Sequence, residues 1–335
     1  MFSNLKSLCE LNATSGDEKS VRDFIIEQIK DYCEIKTDNL GNLICFKKGK
    51  KTPQKKIMLD AHMDEIGFII KSITPDGFLR FSNVGGIDTS VMIARRVLIE
   101  NKVYGVVGFK PVHLAGAEER KKLPNAESLY IDIGASSKQE AESIVSLGDR
   151  AVICSEYCET DEKIISKALD DRIGCAILID IIRNFDEYDF YAVFSTREEI
   201  GAGGAKTATF SINPDSAIVL ESTTAADIAD VPKEKQVCVL GNGVAVSFMD
   251  RMTVYDREYY EFALNSGIKC QPKSAVAGGN NSGVVHLSRG GVKTIALSVP
   301  CRYIHSANSV ADKRDILSAR QLAEFMLKGI AEGKV

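Results

Sequence analysis

No run in this chain approaches the roughly 18 consecutive apolar residues that a membrane span requires, so no membrane partner is expected. The N-terminus, Met1-Phe2-Ser3-Asn4-Leu5-Lys6, lacks the basic-then-apolar layout of a secretory signal. Basic residues are not in excess. The 42 Lys and Arg face 46 Asp and Glu, a net charge of −4, which argues against a phosphate-tracking surface and so against nucleic acid. The nine cysteines are scattered, and only Cys154 and Cys158 lie close together. An odd, unpatterned count reads as reduced thiols in a cytoplasmic protein. A structural zinc at Cys154 and Cys158 would need two further ligands, and the sequence offers none. Internal repeats and low-complexity segments are also missing. Histidine is scarce, with four residues in 335.

What is present is enough apolar material, 44% of the residues, to build one large core or two ordinary ones. The first thirty residues read as helix. Ser15-Gly-Asp-Glu18 fits a capping box with Ser15 as N-cap, and Val21, Phe24, Ile25 and Ile29 recur at helical spacing. Strands are expected at 43–46 and 56–60, with the lysine-rich residues 47–56 as a solvated hairpin between them. From about Ile66 to about Ser155, short β-rich runs punctuated by Pro75-Asp-Gly77 and Val84-Gly-Gly86 predict a small barrel or sandwich inserted into another domain. Within it, residues 112–125 carry Glu118-Glu-Arg-Lys-Lys122, expected as an exposed loop, and residues 136–143 read as a helix start. From about Ile164, helix and strand alternate again. A helix is expected at 174–184, buried strands at 190–194, 216–220 and 294–298, and a helix at 316–330. That alternation predicts a largely parallel, three-layer α/β sheet.

The most informative stretch is Asp60-Ala-His-Met-Asp64, at the C-terminal end of an apolar strand, where open α/β sheets bind ligands. Alternation puts His62 and Asp64 on one side. An imidazole can bind a metal through one nitrogen and donate the other N–H to a carboxylate. Asp64 is a candidate for that partner, although it can also bind metal or cap a turn. Four more segments place acids or histidine past strands or at helix starts. Asp170 precedes an apolar helix and has an alternative reading as an N-cap. Glu198 and Glu199 follow the strand ending at Phe194, where two acids ordinarily form solvated surface. Glu221 directly extends an apolar run and needs a partner or ion to offset its desolvation. His305 follows the strand ending near Val299. His113 and His286 read as structural or surface residues. Two histidines among several carboxylates suit zinc, cobalt or manganese better than a thiolate-loving ion. Two metals sharing a carboxylate need about five ligands, which leaves one acid as a base for an attacking water.

With these motifs in order (DAHMDEIGF from Asp60, ALDDRIG from Ala168, TREEIGAGGA from Thr196, ESTTAAD from Glu221 and CRYIHS from Cys301), the whole chain resembles the dinuclear metallo-aminopeptidases that assemble tetrahedral particles. Glutamyl and deblocking aminopeptidases and proteins labelled endoglucanase M belong to that family. The resemblance implies a zinc-peptidase-type α/β catalytic domain from residues 1–65 plus 164–335, with an inserted β-barrel-like dimerisation domain at 66–163. It implies two divalent ions per subunit, zinc foremost, with cobalt or manganese as alternatives. Asp170 would bridge them, His62 and Glu221 would complete one site, and Glu199 and His305 the other. Glu198 would be the general base, and Asp64 would orient His62. The implied substrates are short peptides, and the implied state is a homo-oligomer of dimers assembling to a dodecamer. Two departures stand out. Asp171 occupies a position that is often asparagine, and Gly278-Gly-Asn-Asn-Ser-Gly283 replaces a segment with a threonine-aspartate pair near the substrate. A plain turn before the helix containing His286 is the other reading of that segment.

Competing readings are a metal-dependent deacylase of non-peptide amides, a glycoside hydrolase, and a catalytically silent metal-binding or assembly protein. Glycosidase chemistry needs two carboxylates and no metal, so histidines among the acids argue against it. A silent protein should have lost a ligand or the base, and this chain retains them all.

Overall fold

The computed structural model describes residues 1–117, 121–276 and 278–335. Glu118, Glu119 and Arg120, part of the expected exposed loop, lie outside the described residues.

Four parallel strands form the centre of an eleven-stranded sheet, in the order Phe190–Ser195, Ile57–His62, Ser216–Thr224 and Lys293–Arg302. Their nearly continuous burial explains why they read as unbroken apolar runs rather than alternating ones. Helices cover both faces. On one, Leu59 and Ala61 share a core with Ile173, Ile177 and Leu322 of the helices Leu169–Asn184 and Lys313–Ala331. On the other, Met58 and Val193 pack against Ala205, Ala208 and Ile212 of helix Gly203–Ile212. The fold is therefore three-layered α/β, as the alternation of elements predicts. Among the described residues, no helix is long and apolar enough to cross a membrane.

Three expectations need correction. The sheet is mixed, because Leu43–Lys47 runs antiparallel to Phe190–Ser195, and the strands beyond Lys293–Arg302 also add antiparallel partners. The 47–56 segment is not a hairpin. Phe190–Ser195 lies between Leu43–Lys47 and Ile57–His62, so the lysine-rich stretch spans that intervening strand. The capping box does not form either. Two helices, Phe2–Glu10 and Lys19–Ile29, replace the single helical stretch, and Glu18 rather than Ser15 occupies the N-cap position, without a side-chain cap bond. The side chains of Ser15 and Glu18 are engaged elsewhere, as described below.

Between residues 67 and 153, six strands close into a barrel in the order Gly67–Ile73, Leu79–Val84, Tyr130–Asp132, Val103–Gly108, Arg96–Ile99 and Arg150–Ile153. Phe68, Phe81, Val97, Ile99 and Ile131 fill its interior, a core separate from that of the sheet. The expected helix start appears as Lys138–Glu142, capped by Ser137.

Helix Gly203–Ile212 sits so close to the strand-end loop at Thr196 that a side chain is excluded at Gly204. A Cβ there would lie 2.3 Å from Thr196 O and 2.5 Å from Thr196 N, both backbone atoms. Gly204→Ala is expected to destabilise the protein by about 1–3 kcal/mol through overpacking, exceeding the roughly 0.5–1 kcal/mol that alanine gains over glycine inside a helix. A chemical-denaturation midpoint equal to that of the parent would contradict this close approach.

Candidate metal centre

The parallel strands deliver their C-terminal ends to one place. His62 ends Ile57–His62, Glu221 lies inside Ser216–Thr224, the Thr196–Glu199 loop follows Phe190–Ser195, and His305 follows Lys293–Arg302. Ala168, Arg197, Tyr303 and His305 all have positive φ, between 54° and 60°. Such conformations cost of order 1–3 kcal/mol each for non-glycine residues and concentrate at functional sites.

Asp64, fully buried, organises one side of the cluster. Its carboxylate accepts the hydroxyl of Ser15 at 2.5 Å and the backbone N–H groups of Glu198 at 3.0 Å and Glu199 at 3.1 Å. Its Oδ1 lies 3.3 Å from His62 Nδ1, which also stands 3.1 Å from the Asp64 carbonyl. Nε2 of His62 is left to face the other acids. The carboxylate of Glu18 accepts N–H groups from Gly16 and Arg197 at 2.6 and 3.1 Å, fixing the same loop from behind. Ser15 and Glu18 are therefore supports for the site rather than helix caps. The sequence alone offered no sign of this, because a Ser-x-x-Glu spacing matches a capping box equally well.

Asp170 lies between the two imidazoles. His62 Nε2 is 3.4 Å from its Oδ1 and 3.8 Å from Glu221 Oε2. His305 Nε2 is 3.6 Å from Asp170 Oδ2 and 3.3 Å from Glu199 Oε1. One carboxylate thus presents an oxygen to each of two neighbouring triads. The ligand atoms of His62, Asp170 and Glu199 all lie within 4.8 Å of one another, as do those of His62, Asp171 and Glu221. Asp171 is thereby a competitor for the place beside His62 and Glu221. Its Oδ1, however, receives the N–H of Gly174 at 2.9 Å, so Asp171, and not Asp170, caps the apolar helix. Glu199 is not the solvated surface that adjacent acids ordinarily make, since its side chain is 4% exposed. Among the described residues, Cys154 and Cys158 belong to no group with metal-ligand spacing, and all nine cysteines are free. His113 is exposed, and Nδ1 of His286 contacts the Ser282 carbonyl within its own helical turn.

The electrostatics of the cluster fit divalent cations. Five carboxylates, those of Asp170, Asp171, Glu198, Glu199 and Glu221, gather around two imidazoles. Burial, reinforced by neighbouring acids and opposed by His62, pushes Glu221 and Asp171 well above the usual carboxylate range and Glu198 up to about 8. Three buried carboxylate oxygens, Asp170 Oδ1, Asp171 Oδ2 and Glu221 Oε1, have no hydrogen-bond partner. Acceptor atoms in such an environment need a cation or a proton. Nitrogen and carboxylate donors without thiolate suit zinc, cobalt or manganese.

A cavity of about 270 Å³ opens beside the cluster. Asp170, Glu198, Glu221 and His305 form one part of its wall, and Asn280 and Lys273 belong to the rest. The 278–283 segment is more than a turn. Gly278 and Gly279 line this cavity, and Asn281 donates to Asp60 at 2.6 Å and Ser195 at 2.9 Å. The barrel also reaches the site. At Gly85 (φ +86°) a Cβ would sit 3.2 Å from Glu199 Cβ, and at Gly86 one would sit 3.6 Å from His305 Nδ1. In the sequence these two glycines look like turn punctuation.

A model of the M42 glutamyl aminopeptidase family matches residues 41–322. The chain is 40% identical to a protein of Acetivibrio thermocellus that bears a provisional description as an aminopeptidase, across 96% of this chain and 97% of that one. It is 33% identical to a lysyl aminopeptidase of Pyrococcus furiosus, across 97% and 96%. Among solved structures, the TET1 peptidase of Pyrococcus horikoshii, which can assemble into a tetrahedron or a large octahedral shell, superposes with a TM-score of 0.84 at 32% identity, across 96% of this chain and 98% of that one. The chain belongs to the M42 aminopeptidase family and is a hydrolase acting on peptides.

Proposed function

We propose that this protein is a dinuclear metallo-aminopeptidase that removes N-terminal residues from short peptides. The observation that carries this reading is the Asp170 carboxylate, with one oxygen toward His62 and the other toward His305. His62, Asp170 and Glu221 would hold one ion, and Asp170, Glu199 and His305 the other. When bound, two such ions polarise the scissile carbonyl and make water a stronger nucleophile. Glu198, on the cavity wall, takes a proton from the attacking water and passes it to the leaving amine, so that the C–N bond breaks with a neutral amine departing. Asp64 fixes the backbone of Glu198 and the ring of His62 together, which holds base and ligand in one geometry.

The reading extends to the domains. Residues 1–65 plus 164–335 form the catalytic unit, and the barrel at 66–163 joins subunits into dimers. The tetrahedral form of the Pyrococcus horikoshii relative supports six such dimers assembling to a dodecamer. Nine free thiols support a reducing, cytoplasmic location.

The test is removal and restoration of metal. Chelated protein is expected to lose hydrolysis of aminoacyl p-nitroanilides by at least about 10³-fold, as loss of several kcal/mol of charge stabilisation requires. Zinc, cobalt or manganese should restore it with a stoichiometry approaching two ions per chain. Equal rates before and after complete chelation would defeat the proposal, and turnover confined to acylated amino acids would favour the deacylase.

A further inference from the structure

The loop that carries His305 is seated on two hydrophobic cores. Residues 303–308 join strand Lys293–Arg302 to strand Ser309–Asp312. Just before the histidine, Ile304 packs against the core of the sheet. Just after it, Ala307 is 2% exposed and belongs to the core of the barrel, with Phe81 and Ile87. Asn308 then accepts the hydroxyl of Ser155, two residues beyond barrel strand Arg150–Ile153, at 2.9 Å. The barrel turn Gly85–Gly86 stands against the same ligands. A Cβ on Gly86 would already be in van der Waals contact with His305 Nδ1, at 3.6 Å, and one on Gly85 would lie 3.2 Å from Glu199 Cβ. Asn83 donates to the Ile87 carbonyl at 3.3 Å and closes that turn. The other pair of ligands is placed differently. His62 ends strand Ile57–His62 and Glu221 lies inside Ser216–Thr224, its neighbour in the sheet. The His62 side chain is 1% exposed, against 36% for His305.

We infer that the barrel positions the metal ligand His305, so that one of the two ion sites is built jointly by sheet and barrel and the other by the sheet alone. This rests on the two-metal reading above and gives the barrel a role that joining subunits does not require. A ligand carried on a loop must be ordered when an ion binds, and that ordering opposes binding. Anchors at Ile304, Ala307 and Asn308 order the loop when the protein folds, before any ion arrives. Gly85 and Gly86 let barrel backbone come close to Glu199 and His305, the two ligands of the same ion. By linkage, an ion held by His305 steadies the barrel turn in return.

Metal-free protein is titrated with zinc by calorimetry, with melting temperature followed alongside. The wild type should take two ions per chain. Gly86→Val extends past that Cβ position with methyl groups that crowd the imidazole. It should weaken one ion by about 10- to 100-fold, the range for loss of a ligand's supporting contact, while the other binds as before. Gly86→Ala adds only the Cβ at 3.6 Å and should keep both. Two backgrounds identify the affected ion. Gly86→Val should weaken zinc binding in Glu221→Gln, where the His305 site remains, and leave it unchanged in Glu199→Gln, where the His62 site remains. Equal weakening in both backgrounds, or in neither, overturns the inference. A second measurement needs no substitution. Zinc loading of the wild type should slow backbone hydrogen exchange at residues 84–88 as well as at 303–308. Slowing at 303–308 alone overturns the inference even if a variant fails to fold. A wild-type titration that ends at one ion or none would instead remove the two-metal reading, and the inference with it.

Discussion

Glu198→Gln should lower kcat on aminoacyl anilides by about 10²- to 10⁴-fold, the range for loss of a positioned general base, while metal content remains that of the parent. Glutamine preserves the shape of the side chain and leaves the backbone N–H bond to Asp64 at 3.0 Å untouched. It removes only the ability to accept a proton. Glu198 stands on the cavity wall beside Asp170 and Glu221. Turnover by the variant equal to the parent's, with metals retained, would show that another group moves the proton. Loss of metal together with turnover would instead mean that Glu198 is a ligand.

Asp170→Asn should be at least as damaging, and its signature is stoichiometric. One carboxylate oxygen faces each histidine, at 3.4 and 3.6 Å. An amide keeps one oxygen and replaces the other with an NH2 group, which has no lone pair to offer a cation. One site should therefore empty, or both, and kcat/KM should fall by about 10³-fold or more as the stabilisation supplied by the paired ions is lost. Metal analysis of the purified variant alongside the anilide assay checks both parts. Two ions per chain with parental activity would show that Asp170 is not shared, and would turn attention to Asp171, whose free Oδ2 lies near His62 and Glu221.

Much of the framework was readable along the chain. The apolar runs ending near Asp60, Phe194, Leu220 and Ser298 became the four parallel strands, because a strand buried on both faces must be apolar at nearly every position. The short β runs between residues 67 and 153 became a closed barrel. What failed was local and polar. Ser15 and Glu18 matched a capping pattern, but their oxygens serve Asp64 and the Arg197 backbone, groups distant in sequence. The lysine-rich segment has the pattern of a hairpin, since strands adjacent in sequence commonly pair, but a strand from residue 190 onward lies between its two flanking strands.

The sequence by itself determined the three-layer α/β class, the interrupting β-rich unit and the short roster of acids and histidines at strand ends. Hydrophobic periodicity and residue chemistry are properties of each segment alone. Tertiary structure decided that Asp170 turns one oxygen to each histidine, that Asp171 caps the helix, and that Gly85 and Gly86 bring the barrel within a side chain's reach of Glu199 and His305. Those facts depend on which distant segments share a surface, and burial and charge pairing exist only once the chain has closed on itself.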